Sequence, residues 1–191
     1  MGQGCRGRAR LRPLIVASGE EKGSTMNIDV VKLSWSEGSN IVVGQSHFIK
    51  TVEDIGEIMA SSVPGAKWGL AFNEASGVRL IRHEGSDSKI VQEAIACAKA
   101  SGAGHTFYLI IGPGAYPINV LDRIKACPEV CHIFAATANP LSLIVAREGT
   151  GEGASAGILG VIDGNSPLGV ENEADKADRQ AMLRRFGYKF G

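Results

Sequence analysis

The run His105 to Ile111, HTFYLII, constrains the fold of this chain more than any other stretch. Nearly every residue in it is apolar or aromatic, so it cannot show one wet and one dry face. Such a strand lies inside a sheet that is covered on both sides. The rest of the chain must therefore supply partner strands and covering layers.

The spacing of apolar residues predicts both. Ile28 to Trp35 alternates and suits a strand, and Glu37 to Asn40 reads as a turn. Ile41-Val42-Val43 opens a second strand running toward His47 and Phe48, and the two are expected to form a hairpin. Val52, Ile55, Ile58 and Met59 recur at helical spacing, with Thr51 expected as the N-cap and Pro64-Gly65 as the stop. Lys67 to Ala75 and Val78 to Arg82 read as a strand pair turning at Ser76-Gly77. A helix capped by Ser86 or Asp87 carries Ile90, Val91, Ala94, Ile95 and Ala98 on one face and ends near Gly102. After the long apolar strand come a loop at 112–117, a short helix with Val120, Leu121 and Ile124 inward, and strands at 130–136, 141–146 and 158–162. Residues 173–187 close the chain as a charged helix. Hairpins mixed with crossovers predict an α/β chain of the α+β type: one domain, with a mixed β-sheet covered by helices.

A chain of 191 residues fits one domain and can bury a core without disulfide staples. Twenty Lys and Arg balance twenty Asp and Glu, which provides no electrostatic case for nucleic acid or an anionic membrane. Cys5, Cys97, Cys127 and Cys131 show no secreted spacing, so thiols in a reducing, cytoplasmic compartment are expected. No apolar run approaches the ~20 residues that span a bilayer.

The first 25 residues differ from the remainder. They hold five basic and two acidic side chains, which leaves residues 26–191 with 15 basic and 18 acidic. Leu14 to Ala17 is too short for a signal-peptide core. Gly19-Glu20-Glu21-Lys22-Gly23 can be encoded by a purine-rich stretch like a translated ribosome-binding site, with Met26 following at a suitable distance. Residues 1–25 are therefore expected to be a non-native or disordered leader, and residues 26–191 the domain.

Common nucleotide motifs are missing: there is no GxxxxGK[ST] loop and no GxGxxG after a strand. Other anion sites remain open. Ser46-His47-Phe48-Ile49-Lys50-Thr51 puts a histidine, an ammonium and a hydroxyl at a strand-to-helix junction, where free N–H groups favour phosphate; capping and strand pairing alone would also explain these residues. His105 follows Gly102-Ala103-Gly104 and could be approached by a ligand, or simply begin its strand. The glycine loop 149–157, with Gly151 and Gly153, could cradle phosphate oxygens or connect two strands. Tyr116-Pro117-Ile118-Asn119 and Thr137-Ala138-Asn139-Pro140 place an Asn beside a Pro-fixed turn, where its amide could read an adenine edge or only shape the turn. Cys127, Cys131 and His132 lack the further ligands of a structural zinc site.

Taken in order, SHFIKTVEDI (46–55), LAFNEASG (70–77), GHTF (104–107), YPINVLDRIK (116–125), ATANP (136–140), GVIDG (160–164), GVENE (169–173) and LRRFGYK (183–189) resemble the adenosine-specific kinase family of small bacterial and archaeal proteins. The resemblance covers about Asn27 to Lys189. It implies adenine-nucleotide binding (ATP or AMP, with Mg as a candidate metal), an unusually stable phosphohistidine, and a homotrimer. The family's motif histidines fall on His47 and His105. The apolar strand behind His105 makes it the expected carrier, with His47 as partner and Lys50 as the third catalytic group. Thr51, Tyr116, Asn119, Thr137, Asn139, Gly151 and Gly153 are the expected nucleotide contacts. Asn73 and Ser86 depart from the family pattern, which carries Cys and Asn at these places. The functional expectation is a phosphotransferase acting on adenosine or AMP; the alternative is an AMP-binding or sensing module without turnover.

Overall fold

A computed structural model describes residues 26–190, so the expected leader lies outside the described residues. Eight strands and four helices follow in chain order: β1 (Met26–Lys32), β2 (Asn40–Ser46), α1 (Thr51–Ser62), β3 (Trp68–Asn73), β4 (Ile81–Gly85), α2 (Ser88–Ser101), β5 (Thr106–Ile111), α3 (Leu121–Lys125), β6 (Val130–Thr137), β7 (Leu141–Glu148), β8 (Ser155–Asp163) and α4 (Glu173–Arg185). Short 3-10 turns occupy Pro117–Asn119 and Gly151–Gly153.

The strands form two sheets, ordered β4-β3-β5-β2-β6 and β1-β7-β8. The single-domain α+β expectation stands, with the sheet divided in two and the pairings antiparallel. The apolar strand β5 lies at the centre of the larger sheet, and all six of its residues are buried. On one face Val42, Leu70, Phe72, Phe107, Leu109 and Ile111 pack against α1 and α3. On the other, Ile41, Val43, Ala71, Tyr108 and Ile110 pack against α2 and against Leu141, Leu143 and Val145 of β7. The order of layers is therefore α1 and α3, the five-stranded sheet, then α2 beside the three-stranded sheet.

Two expectations about individual strands change. β1 does not pair with β2: both edges of β2 are taken by β5 and β6, and β1 instead pairs with β7 from Met26↔Glu148 to Lys32↔Ser142. The return strand expected at 78–82 begins at Ile81, because Glu74 accepts from the Leu80 amide and Arg82 and holds a longer turn. Helix α2 follows its signals closely. Asp87 accepts from the amides of Lys89 and Ile90, and Gly102 ends the helix with φ +61°. Close layers need glycine at Gly69, where a Cβ would lie 2.4 Å from the Val91 nitrogen of α2.

Candidate functional site

Strand register decides which candidate residues meet. Gln45 pairs with Thr106, and one step further the Ser46 amide donates to the His105 carbonyl at 2.9 Å. His47 follows directly, and its amide donates to the Glu129 carbonyl at 3.0 Å. His47 and His105 therefore share one end of the five-stranded sheet, together with Asn73 at the end of β3 and the start of β6.

His105 is held in an unusual conformation, with φ +58°. A non-glycine residue in this region carries strain of roughly 1–2 kcal/mol. Two backbone bonds hold it there: its amide donates to the Asn73 carbonyl at 2.7 Å, and its carbonyl receives the Ser46 amide. Its ring stacks on Phe72, with centroids 6.1 Å apart and planes 18° apart, on the α1 side of the sheet. Gly104 has to be glycine, since a Cβ there would lie 2.8 Å from the Ala75 Cβ.

The HFIKT segment tightens into a turn before α1. The amides of Thr51 and Val52 donate to Phe48 and Ile49, and those of Glu53 and Asp54 both donate to the Lys50 carbonyl. The first-turn N–H groups expected to be open to phosphate are thus satisfied within the turn. Thr51 is neither the N-cap nor open to a ligand. Lys50 occupies the cap position, while Thr51 is fully buried, its hydroxyl donating to the Phe48 carbonyl at 2.5 Å and touching the Ser46 hydroxyl.

Lys50 reaches back to pair with Asp54. The Asp54 carboxylate raises the Lys50 pKa above its ordinary value, and the Lys50 ammonium in turn lowers that of Asp54. Both residues line a cleft of about 430 Å³ between α1 and α3, with Arg123 and Cys127. Glu129 adjoins this pair and was not a candidate from sequence. It is 3% exposed, it lies beside Asp54, and its Oε1 has no hydrogen-bond partner among the described residues. The sole sequence signal was an acidic residue directly ahead of a strand.

A larger cavity of about 770 Å³ lies on the α2 side of the same sheet end. Gly151 and Gly153 line it, as do Gly104, Arg79 and Lys99. The glycine loop therefore reaches the neighbourhood of His105, from the face opposite its ring.

The remaining expected contacts lie elsewhere. Tyr116 and Asn119 follow the far end of β5, and Thr137 ends β6 opposite Ile41, with Asn139 just beyond. The six residues of β5 put its far end roughly 20 Å from His105. Both asparagines have local partners: Asn119 accepts from the Tyr116 amide, and Asn139 donates to Asp163, which also receives the Thr137 hydroxyl. Their hydrogen bonds lead to these local partners and not to His47 or His105. Ser86, one of the two departures, bridges the Trp68 amide and the Ala66 carbonyl and is a structural substitution. Among the described residues no three His, Cys, Asp or Glu side chains converge to hold a metal, and no helix is long and apolar enough to cross a membrane.

The fold and this sheet end define an α+β protein with two histidines at one end of the sheet, ahead of a lysine-bearing helix start. Residues 31–189 match the family described as adenosine specific kinase, and the chain belongs to that family. A crystal structure of the PH1918 protein from Pyrococcus horikoshii OT3 is 35% identical, with a TM-score of 0.78 over 87% of this chain and 99% of that chain. No curated protein matches the chain.

Proposed function

We propose that the protein is an adenine-nucleotide-binding phosphotransferase that acts on adenosine or AMP through a phosphohistidine at His105. The observation that carries this reading is the Ser46–His105 backbone bond, which sets His47 beside His105 in a chain belonging to the adenosine-specific kinase family. A ring nitrogen of His105 attacks the terminal phosphorus of ATP; an N–P bond forms as the P–O bond to ADP breaks. A hydroxyl oxygen of adenosine then attacks that phosphorus, the N–P bond breaks, and the freed ring nitrogen takes the hydroxyl proton. Covalent transfer of this kind divides one difficult step into two. His47 donates a hydrogen bond to the phosphoryl group, and Lys50, kept protonated by Asp54, offsets its charge. The glycine-lined cavity, within the size range of small-molecule sites, takes the remainder of the nucleotide. Magnesium arrives with the triphosphate, since the described residues form no carboxylate cage for it.

Incubation with γ-labelled ATP, followed by mass spectrometry of His47→Ala and His105→Ala, tests the reading. Label is expected in His47→Ala at a reduced level and absent from His105→Ala. Label retained in His105→Ala reverses the roles, and label retained in both removes these histidines from the chemistry. One observation favours the second reading, an AMP-binding module: Asp54, the carboxylate at the head of α1, is committed to Lys50 and not available as a base. Steady-state turnover of ATP with adenosine separates the two.

The same proposal takes the working form to be a homotrimer in the cytoplasm. Met26, Ile28 and Val30 are exposed on one face of β1, and Val30 pairs with Ile144 of β7. This apolar sheet face suits a second copy of the chain, and sedimentation of Ile28→Lys should show dissociation.

A further inference from the structure

We propose that a buried polar cluster on the α2 side of the sheet, Asn73, Ser101, Thr106 and Tyr108, is a positioning device for His105. The inference rests on the assignment of His105 as phosphoryl carrier. All four residues are at least nine-tenths buried, in a layer otherwise filled by Ile41, Val43, Ala71, Ala94 and Ile110. Polar side chains in such a place stabilise nothing unless each is satisfied, and these are. The Asn73 amide donates to the carbonyls of Ala98 and Ala103, both at 3.0 Å. The Thr106 hydroxyl donates to the Ala103 carbonyl at 2.6 Å and lies 3.1 Å from the Tyr108 hydroxyl. Tyr108 donates to Ser101 at 2.5 Å, and Ser101 donates to the Ala98 carbonyl at 3.0 Å while accepting the Ala103 amide at 3.2 Å.

Every bond in this cluster ends on residues 98–106. That segment includes the left-handed Gly102, the crowded Gly104 and the left-handed His105. Asn73 acts from both of its ends, since its side chain fixes Ala98 and Ala103 while its own carbonyl receives the His105 amide. Thr106 meets Tyr108 on the α2 side while the His105 ring stacks on Phe72 on the other, so the cluster acts on the histidine through the backbone. Its role is to hold His105 at φ +58° with the ring on Phe72, where the nucleophilic nitrogen has one direction of approach.

Thr106→Val keeps shape and removes the hydroxyl; Thr106→Ser keeps the hydroxyl. Thr106 is 3% exposed and does not line the glycine-lined cavity, so neither change removes a direct contact with nucleotide. In Thr106→Val the rate of phosphohistidine formation should fall by about tenfold to a hundredfold, the scale of a misplaced reacting group, while AMP affinity stays nearly unchanged. Thr106→Ser should recover most of the rate. The backbone 13Cα and 13Cβ shifts of His105, which report φ, should move in Thr106→Val and return in Thr106→Ser. Tyr108→Phe, read by the same measurements, serves if Thr106→Val does not fold. Unmoved His105 shifts overturn the positioning role, as does an unchanged rate or a loss confined to AMP affinity. If His105→Ala keeps its label, the carrier assignment fails by itself, and the shifts still decide whether the cluster sets the His105 backbone.

Discussion

The two ends of the five-stranded sheet are built differently. At the His105 end, strain and buried polarity are concentrated: a left-handed histidine, a satisfied polar cluster behind it, a buried Glu129 and two flanking cavities. At the Asn139 end, polar residues serve local turns. Asn139 and Thr137 hold Asp163, and the Gly164 amide donates to Pro140. Both ends carry family motifs, and both carry an asparagine in a turn or at a strand end. The difference teaches that a turn motif and a reactive site can look alike in sequence and be separated by where their bonds lead: at one end to neighbouring residues, at the other across three strands and a helix.

Nucleotide affinity should break the comparison most sharply. Lys50→Ala should weaken AMP binding by about tenfold, the loss of one charge-assisted contact. Asn119→Ala and Asn139→Ala should leave it nearly unchanged. Calorimetry with AMP checks all three, and a large loss in Asn139→Ala would mean that a site is shared between copies of the chain.

Matched glycines provide the next test. Gly104→Ala forces a Cβ against Ala75 at 2.8 Å and should destabilise the fold by about 1–3 kcal/mol, as overpacking does. It should also slow phosphohistidine formation. Gly164→Ala strains a residue at φ +65° and crowds the Asn139 side chain, at a cost of about 1 kcal/mol, with labelling intact. Urea midpoints and the labelling assay measure both.

The smallest effect is acid sensitivity. Asp54 is held below its usual pKa by Lys50, Glu74 by the Leu80 amide, and Asp87 by the Ile90 amide. Each folded carboxyl binds protons less readily than its unfolded counterpart, so their stabilisation is complete above the ordinary carboxylate range near pH ~4. It is lost as pH falls through the lower folded values. Urea midpoints should decline below that range, and Asp54→Asn should flatten the decline. Native alkylation should meanwhile modify the exposed Cys131 and spare Cys97, whose thiol burial pushes up to about 11.

Sequence alone determined what depends on neighbours along the chain. The apolar run 106–111 had to be a central strand because no face of it tolerates water. The stripe Ile90, Val91, Ala94 and Ala98 between Asp87 and Gly102 had to be a capped helix. Helical and strand periods, caps and turn residues act over a few positions, so they can be read without the fold. Tertiary structure decided the pairings between distant segments: β1 with β7, His47 beside His105, and Asn119 and Asn139 at the far end. It also decided that Thr51 is buried, that Glu129 is enclosed, and that Asn73 grips the loop behind His105. These follow from which strand edges remain free and which side chains a closed core encloses, and both are settled only when residues tens of positions apart compete for the same buried space.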